Sequence, residues 1–374
     1  MEFSVSNSLV NKAISRVIGA INKNAVSEYL SAVKISITET QFLVEATNMD
    51  VVISSWFTVS DVKATGSFCV DAHALFEIIK KLPKDGLITF KTEKSNENLL
   101  YLIIVSGKSK FDLATIDVQN YPVILANVKE NSVTLQAKDL SFLIEKTRPC
   151  IYANETRYNI NGTLLNISKD DGKIYAVTTD GHRLAHAVIA IQADFSRKLT
   201  IPKKSVLEIK KIADSEEGTV TLDVSQTKMT FNFANSRLTT KLIDAEFPDY
   251  ERVIPKDYID SATINNKNFL AAIDRVSSIY STATSEVGVR LNISANAVKI
   301  FSSKDTNRSS DELSATFSRD SEVQIMCNFV YLREILAMID SENVKIFIKE
   351  ANFPIMIQDS STPNYFYIVM PMKV

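Results

Sequence analysis

His182-Arg183-Leu184-Ala185-His186 places two imidazoles four residues apart. On a helix that spacing lets both reach one zinc ion, with a glutamate after the first histidine acting as general base. Arginine stands at that second position, so the base is missing. The preceding Ile174-Tyr175-Ala176-Val177-Thr178-Thr179 alternates as a strand, and residues four apart on a strand lie about 13 Å from each other. Asp180-Gly181 reads as a turn with His182 and Arg183 beside it. A metal-dependent hydrolase using His182, His186 and nearby carboxylates is thus the weaker of two readings. His73, beside Asp71 at a helix start, fits an end-of-helix polar residue better than a catalytic base. No Ser-His-Asp arrangement emerges from the spacing. The nine glycines form neither GxG nor GxxxxGK, which removes both common phosphate cradles. Cys69, Cys150 and Cys327 are odd in number and far apart, fitting neither a disulfide framework nor a zinc cluster. No cofactor is called for, and the second reading is a protein that works without catalysis.

The elements that must position these residues come from the chain as a whole. Its 374 residues ask for two or three domains. With 45% hydrophobic and 23% charged residues the composition is that of a folded globular chain. No apolar run is long enough to span a bilayer and the start lacks a secretory pattern, so the cytoplasm is the expected location and no membrane partner is expected. One phrase, a helix followed by strands, occurs three times. Leu75 to Lys81 precedes Gly86 to Phe90, Val206 to Lys211 precedes Thr219 to Leu222, and Leu332 to Leu336 precedes Val344 to Ile348. The equivalent glutamates Glu77, Glu208 and Glu334 lie 131 and 126 residues apart, close to a third of the chain. A second helix opens each third, at residues 8–23, 137–152 and 265–281. Segments such as 34–38, 229–233 and 353–357 alternate as half-buried antiparallel strands. The expected fold is therefore α+β: three similar domains, at 1–127, 128–253 and 254–374, each with two helices packed on antiparallel sheet, jointed near Asn127 and Val253.

Charge is divided unevenly between these elements. The six helices carry a formal +8, leaving −10 on strands and loops within a net charge of −2. Converging basic helices would follow phosphates, while acidic sheet surfaces would repel nucleic acid elsewhere. The cations in question are Lys12, Arg16, Lys23, Lys80, Lys81, Arg148, Lys203, Lys204, Lys210, Lys211 and Arg275. No helix-turn-helix or zinc-finger pattern is present to read bases, so duplex DNA would be held without regard to sequence.

Several segments in series carry a resemblance. Thr179-Asp180-Gly181-His182-Arg183-Leu184-Ala185, Phe247-Pro248-Asp249-Tyr250-Glu251-Arg252-Val253-Ile254-Pro255 and Val369-Met370-Pro371-Met372-Lys373-Val374 look like signature segments of the bacterial DNA sliding clamps, the beta subunits of DNA polymerase III. Arg157 to Gly162 and Ser106 to Phe111 support the match, which runs the length of the chain.

The resemblance implies a DNA clamp fold in which two chains form a closed ring head to tail, with helices lining the hole. It implies a processivity factor that encircles and slides along duplex DNA, a non-catalytic subunit of the polymerase III holoenzyme. It adds Tyr158 to the residues facing DNA. Expected partners are a second copy of the chain, the polymerase III catalytic subunit, the clamp-loader complex, and other polymerases and repair proteins bearing clamp-binding peptides. Those peptides would enter an apolar groove between the middle and last domains. Carried over by position, the groove comprises Ile160, Thr179, Gly181, His182, Arg183, Leu184, Pro248, Arg252, Val253, Asn328, Tyr331, Pro354, Ile368, Met370, Pro371 and Met372. At the dimer contact, Phe111 and Leu113 would meet Ile279 and Tyr280, with Lys108 and Lys110 near Asp311 and Glu312. Three positions depart from the pattern: Asn24, where arginine is frequent; Asn159, where a second aromatic is frequent; and Pro354, where a small polar residue is usual.

Overall fold

The computed structural model describes residues 1–22, 25, 27–94, 99–122, 129–152, 154, 156–255, 260–280 and 288–372. Lys23, Asn24, the expected joint at Asn127, and the terminal Lys373 and Val374 lie outside the described residues. The chain forms two compact units, one of residues 1–141 and 204–242, the other of residues 142–203 and 243–374.

Six α-helices are present among the described residues: α1 (Asn7–Val17), α2 (Ala72–Lys81), α3 (Ala137–Thr147), α4 (Lys203–Ser215), α5 (Asn266–Ser277) and α6 (Phe329–Leu336). Each begins or ends within a few residues of its sequence expectation. Apolar residues at helical spacing set the buried face, as Val10, Ala13, Ile14 and Val17 do in α1. Asp71, Asn265 and Asn328 cap α2, α5 and α6, their side-chain oxygens accepting from free backbone N–H groups of the first turn. α1 and α3 each continue into a 3-10 turn, Ile18–Ala20 and Arg148–Cys150.

The threefold repeat recurs in hydrogen bonds. The first residue of α1, α3 and α5 donates its backbone N–H to Gly86, Gly218 and Glu342 respectively. Buried Asn7 also donates from its side chain to Ile79, Leu82 and Pro83 carbonyls, and Asn266 does the same to Leu336 and Ile339. These bonds satisfy carbonyls at the ends of α2 and α6 that the helices leave open.

Antiparallel ladders join the repeats. In the first unit thirteen strands follow one hydrogen-bonded order, because Val51–Thr58 of the first third pairs with Ser236–Lys241 of the second, Ser55 opposite Ser236 through Val51 opposite Thr240. In the second unit twelve strands do so, because Arg183–Ala190 pairs with Tyr365–Val369 of the last third, Arg183 opposite Val369 through Ala187 opposite Tyr365. Besides the strands that end each order, Asp61–Ala64, Asn131–Gln136, Arg197–Pro202 and Val323–Asn328, two inner strands are paired along one side only for most of their length among the described residues. Ser109–Ile116 has a second neighbour only at Thr115 and Ile116, and Asn307–Phe317 only from Ala315 onward.

Burial corrects one DNA-facing expectation. In the first unit the Arg16 side chain is 6% exposed and its guanidinium lies 2.5 Å from Glu216, itself 7% exposed. A helical cation is not always a surface cation. Nearby in the same unit the Glu208 carboxylate sits against Gly19, where any Cβ would collide with it, and burial raises its pKa. The three cysteines are free and fully buried, and desolvation pushes each thiol up to about 12.

Candidate peptide groove and nucleic-acid interface

In the second unit a turn and a terminal segment build an apolar depression. Asp180 accepts from the backbone N–H groups of His182 (2.9 Å) and Arg183 (3.0 Å), while Thr179 donates its hydroxyl to the Arg183 carbonyl at 2.7 Å. Gly181 has φ +89, and a Cβ there would lie 2.7 Å from the Arg157 guanidinium, so glycine fits on both counts. The Met370 amide then donates to the His182 carbonyl at 2.9 Å, which fastens the end of the chain to the turn.

The floor of the depression is a cluster of Ile160, Leu164, Val177, Leu184, Phe247, Tyr250 and Ile368. Its cavity of about 380 Å³ is lined by Ile160, Thr179, Gly181, His182, Arg183, Leu184, Pro248, Val253, Ile368 and Met370 from the set the resemblance implies, and also by Arg157, Asn159, Asp249 and Tyr250. A second cavity of about 690 Å³ shares Asp249, Val253 and Met370 with the first and adds Arg252, Phe353 and Pro354 among others. The two form one continuous groove with Val253 and Met370 exposed on its rim. Such a concave, largely apolar surface is suited to apolar groups of a ligand.

Four expected groove residues line neither cavity. Asn328 spends its side chain capping α6. Tyr331 stands behind His182, their rings 6.4 Å apart. Pro371 passes on beyond Met370. Met372 lines a different cavity, with Tyr280, Gly288 and Met326, and its amide donates to the Met326 carbonyl at 2.8 Å. Arg183 faces inward: it pairs with Asp180 at 2.9 Å and Glu334 at 2.6 Å, lies over the Tyr331 ring and is buried. Its charge is thus met within the wall of the cavity it lines.

His186 contradicts the metal reading. It sits on the strand Arg183–Ala190 stacked on Phe366 (4.6 Å between centroids) and near Tyr175 and Tyr250, away from the Tyr331 side where His182 lies. No cluster of three or more potential metal ligands occurs among the described residues. Burial pushes the His186 pKa down to about 4, so folding favours the neutral ring. The unfolded chain then binds the extra proton first. Stability from this group is complete above its unfolded value of about 6.5 and is lost as pH falls toward 4. The drop in melting temperature from pH 7 to pH 4.5 is accordingly expected to be smaller in His186→Phe than in the parent. Parallel curves would show that the ring does not titrate on unfolding.

The expected DNA-facing cations divide. Lys12, Lys80, Lys81, Arg148, Lys204 and Lys211, with Tyr158, are exposed. Lys203 and Lys210 are half-buried. Lys210 is tied to Asp214 (2.7 Å) and Lys211 to the Ser15 carbonyl (2.6 Å). Arg275 is exposed but held by Asp311 at 2.6 Å. At the expected dimer contact, Phe111, Leu113, Ile279 and Tyr280 are half-buried and Lys108 is exposed at a turn. Lys110 already pairs with Asp112 (3.5 Å) and Glu312 with Lys299 (3.8 Å) within their own units.

Three family models cover nearly all of the chain in order: the DNA polymerase III beta subunit N-terminal domain at 1–126, its central domain at 134–249 and its C-terminal domain at 251–373. The chain belongs to the DNA polymerase III beta subunit family. Beta sliding clamps of Pseudomonas putida and Vibrio cholerae are 27% and 28% identical to it over all of both chains. Among solved structures, the DnaN sliding clamp of Bartonella birtlesii bound to griselimycin matches with a TM-score of 0.93 at 30% identity, covering 100% of each chain. The Caulobacter crescentus beta sliding clamp matches with 0.92 at 26%, covering 100% of this chain and 99% of that one. Against this clamp family the hydrolase reading finds no support. No helix among the described residues is long and apolar enough to cross a membrane.

Proposed function

We propose that this protein is the processivity factor of a replicative DNA polymerase: two copies close head to tail into a ring that encircles duplex DNA and tethers polymerases through the groove. The full-length family match carries the reading. Three clamp domains, bounded at 1–127, 128–253 and 254–374, contribute to it. The exposed helical lysines face phosphate, and topology retains the duplex, so weak and sequence-independent contacts suffice. The strands Ser109–Ile116 and Asn307–Phe317 offer the unpaired edges that two copies need, one on each unit, which makes the contact heterologous and the ring closed after two. Lys108, Lys110, Phe111 and Leu113 then meet Ile279, Tyr280, Asp311 and Glu312 of the second copy. The groove receives peptides from the polymerase III catalytic subunit, the clamp loader, and other polymerases and repair proteins. The protein works in the cytoplasm, as a non-catalytic subunit.

The test is retention on DNA. Loaded onto nicked circular DNA by its clamp loader, the protein is expected to stay bound and to run off once the circle is cut. Rapid loss from the intact circle would overturn the reading. Reversing Lys12, Lys80 and Lys204 to Glu is expected to impair loading and DNA-stimulated synthesis while the dimer persists. Unchanged processivity in that variant would show that these lysines do not face the duplex.

A further inference from the structure

The three repeats place a cation at the same position, nine residues after the first helical residue of α1, α3 and α5: Arg16, Lys146 and Arg275. In two cases the anion comes from the following repeat. Arg16 pairs with Glu216 at 2.5 Å, and Lys146 pairs with Asp340 at 2.6 Å. Both cations are 6% exposed, covered by the repeat that supplies the carboxylate. Glu216 and Asp340 each stand two residues before the carbonyl, Gly218 or Glu342, that accepts from the opening helix of their own repeat. Two residues before Gly86, the matching carbonyl of the first repeat, stands Lys84. Its neighbour Asp85 corresponds to Glu217 and Ser341, neither of which pairs with a repeat cation.

Arg275 departs from this arrangement. It is 59% exposed and takes its anion from its own repeat, Asp311, at 2.6 Å. Asp311 corresponds to Ser55, the residue that Arg16 touches at 3.5 Å. The turns confirm the equivalence: Met49, Gly181 and Asp305 all have positive φ at the hairpin tip, and Ser55 and Asp311 both lie six residues beyond it.

The strand register can be transferred the same way. Three residues past the tips lie Val52, Leu184 and Arg308, and the first two pair with Thr239 and Ile368. Counted through the ladders, the corresponding residue of the first repeat is Asp112. Thr221 faces Asn232 and Asn232 faces Arg237, as Thr89 faces Val105 and Val105 faces Lys110. Thr239 and Asp112 each lie two residues further on. Arg308 would then stand opposite the partner's Asp112, Ser310 opposite the partner's Lys110 and Asp311 opposite the partner's Ser109. Both stretches, 109–113 and 307–311, are paired along one side only among the described residues.

Resting on the head-to-tail reading above, we propose that the contact between copies repeats the two intrachain junctions strand for strand but has its junction carboxylate moved from the partner to Asp311, so that this junction alone can part without breaking the ion pair at this position. Parting Arg16 from Glu216, or Lys146 from Asp340, breaks an ion pair that runs across the junction. At the third junction the partner's helix end presents Lys84 and the Arg275 guanidinium keeps its anion whether the partner is present or absent. The chain thereby marks where the ring opens.

Subunit exchange between labelled dimers tests this. Lys84→Glu supplies the missing carboxylate and is expected to slow exchange roughly tenfold, the effect of about 1.4 kcal/mol from one charge pair across an interface. Asp311→Asn leaves Arg275 facing the partner's Lys84 and is expected to speed exchange; adding Lys84→Glu to it is expected to restore slow exchange by moving the pair across the contact. A double variant no slower than Asp311→Asn alone would overturn the charge placement. Lys110→Cys with Ser310→Cys is expected to give a covalent dimer on oxidation, whereas Lys110→Cys with Glu312→Cys is not; the reverse result would overturn the register. A parent protein that sediments as a monomer at micromolar concentration would instead refute the head-to-tail reading beneath.

Discussion

Deleting residues 370–374 is expected to abolish binding of a polymerase-derived clamp-binding peptide while both units stay folded. Met370 lies on the shared rim of the two groove cavities, and its amide is bonded to His182 at the turn beside it. A few anchors dominate such interfaces at about 2 kcal/mol or more each, so the loss is expected to be roughly 30-fold or greater by calorimetry. The strand Tyr365–Val369 ends before the cut, so its ladder with Arg183–Ala190 is retained. Equal affinity for intact and truncated proteins would place peptide binding elsewhere. Met370→Ala separates the side chain from the main chain: it keeps the amide bond to His182 and removes only the thioether, and a smaller loss is expected.

Arg16→Ala is expected to destabilise the first unit by about 3 to 5 kcal/mol, because it leaves Glu216 buried without its partner. Urea unfolding would register the loss. Replacing both residues, Arg16→Met with Glu216→Leu, is expected to recover most of it, since two apolar side chains of similar size need no ion pair. If Arg16→Ala melted like the parent and weakened DNA retention instead, the guanidinium would belong at the DNA surface after all.

Much of this architecture was legible in the sequence, for identifiable reasons. All six helices announced themselves through apolar spacing, and Asp71, Asn265 and Asn328 stand where caps are needed. The turn at Asp180-Gly181 was also visible, because few residue pairs accept that backbone. Burial of individual charges was not. A charge count treats Arg16 like Lys12, although one is locked against Glu216 and the other is exposed. The signal that could have separated them was the repeat itself, which sets Arg16 beside Lys146 and Glu216 beside Asp340.

Strands partnered across repeats were equally hidden. Val51–Thr58 pairs along its far edge with Ser236–Lys241, and alternation along one strand cannot name its neighbour. The same limit explains the terminal methionines. Met370 and Met372 look alike in sequence, yet the extended segment turns one toward Val253 and the other toward Met326. Arg157, Asn159, Asp249 and Tyr250 carry no distinctive spacing that would mark them as cavity lining.

The buried thiols have a practical consequence. Cys69, Cys150 and Cys327 remain protonated at neutral pH and out of reach of solvent, so they are spectators in maleimide chemistry. A single cysteine introduced on an exposed strand will take a fluorophore alone, with the native three left in place. Individual molecules can then be watched diffusing along stretched DNA without first re-engineering the interior.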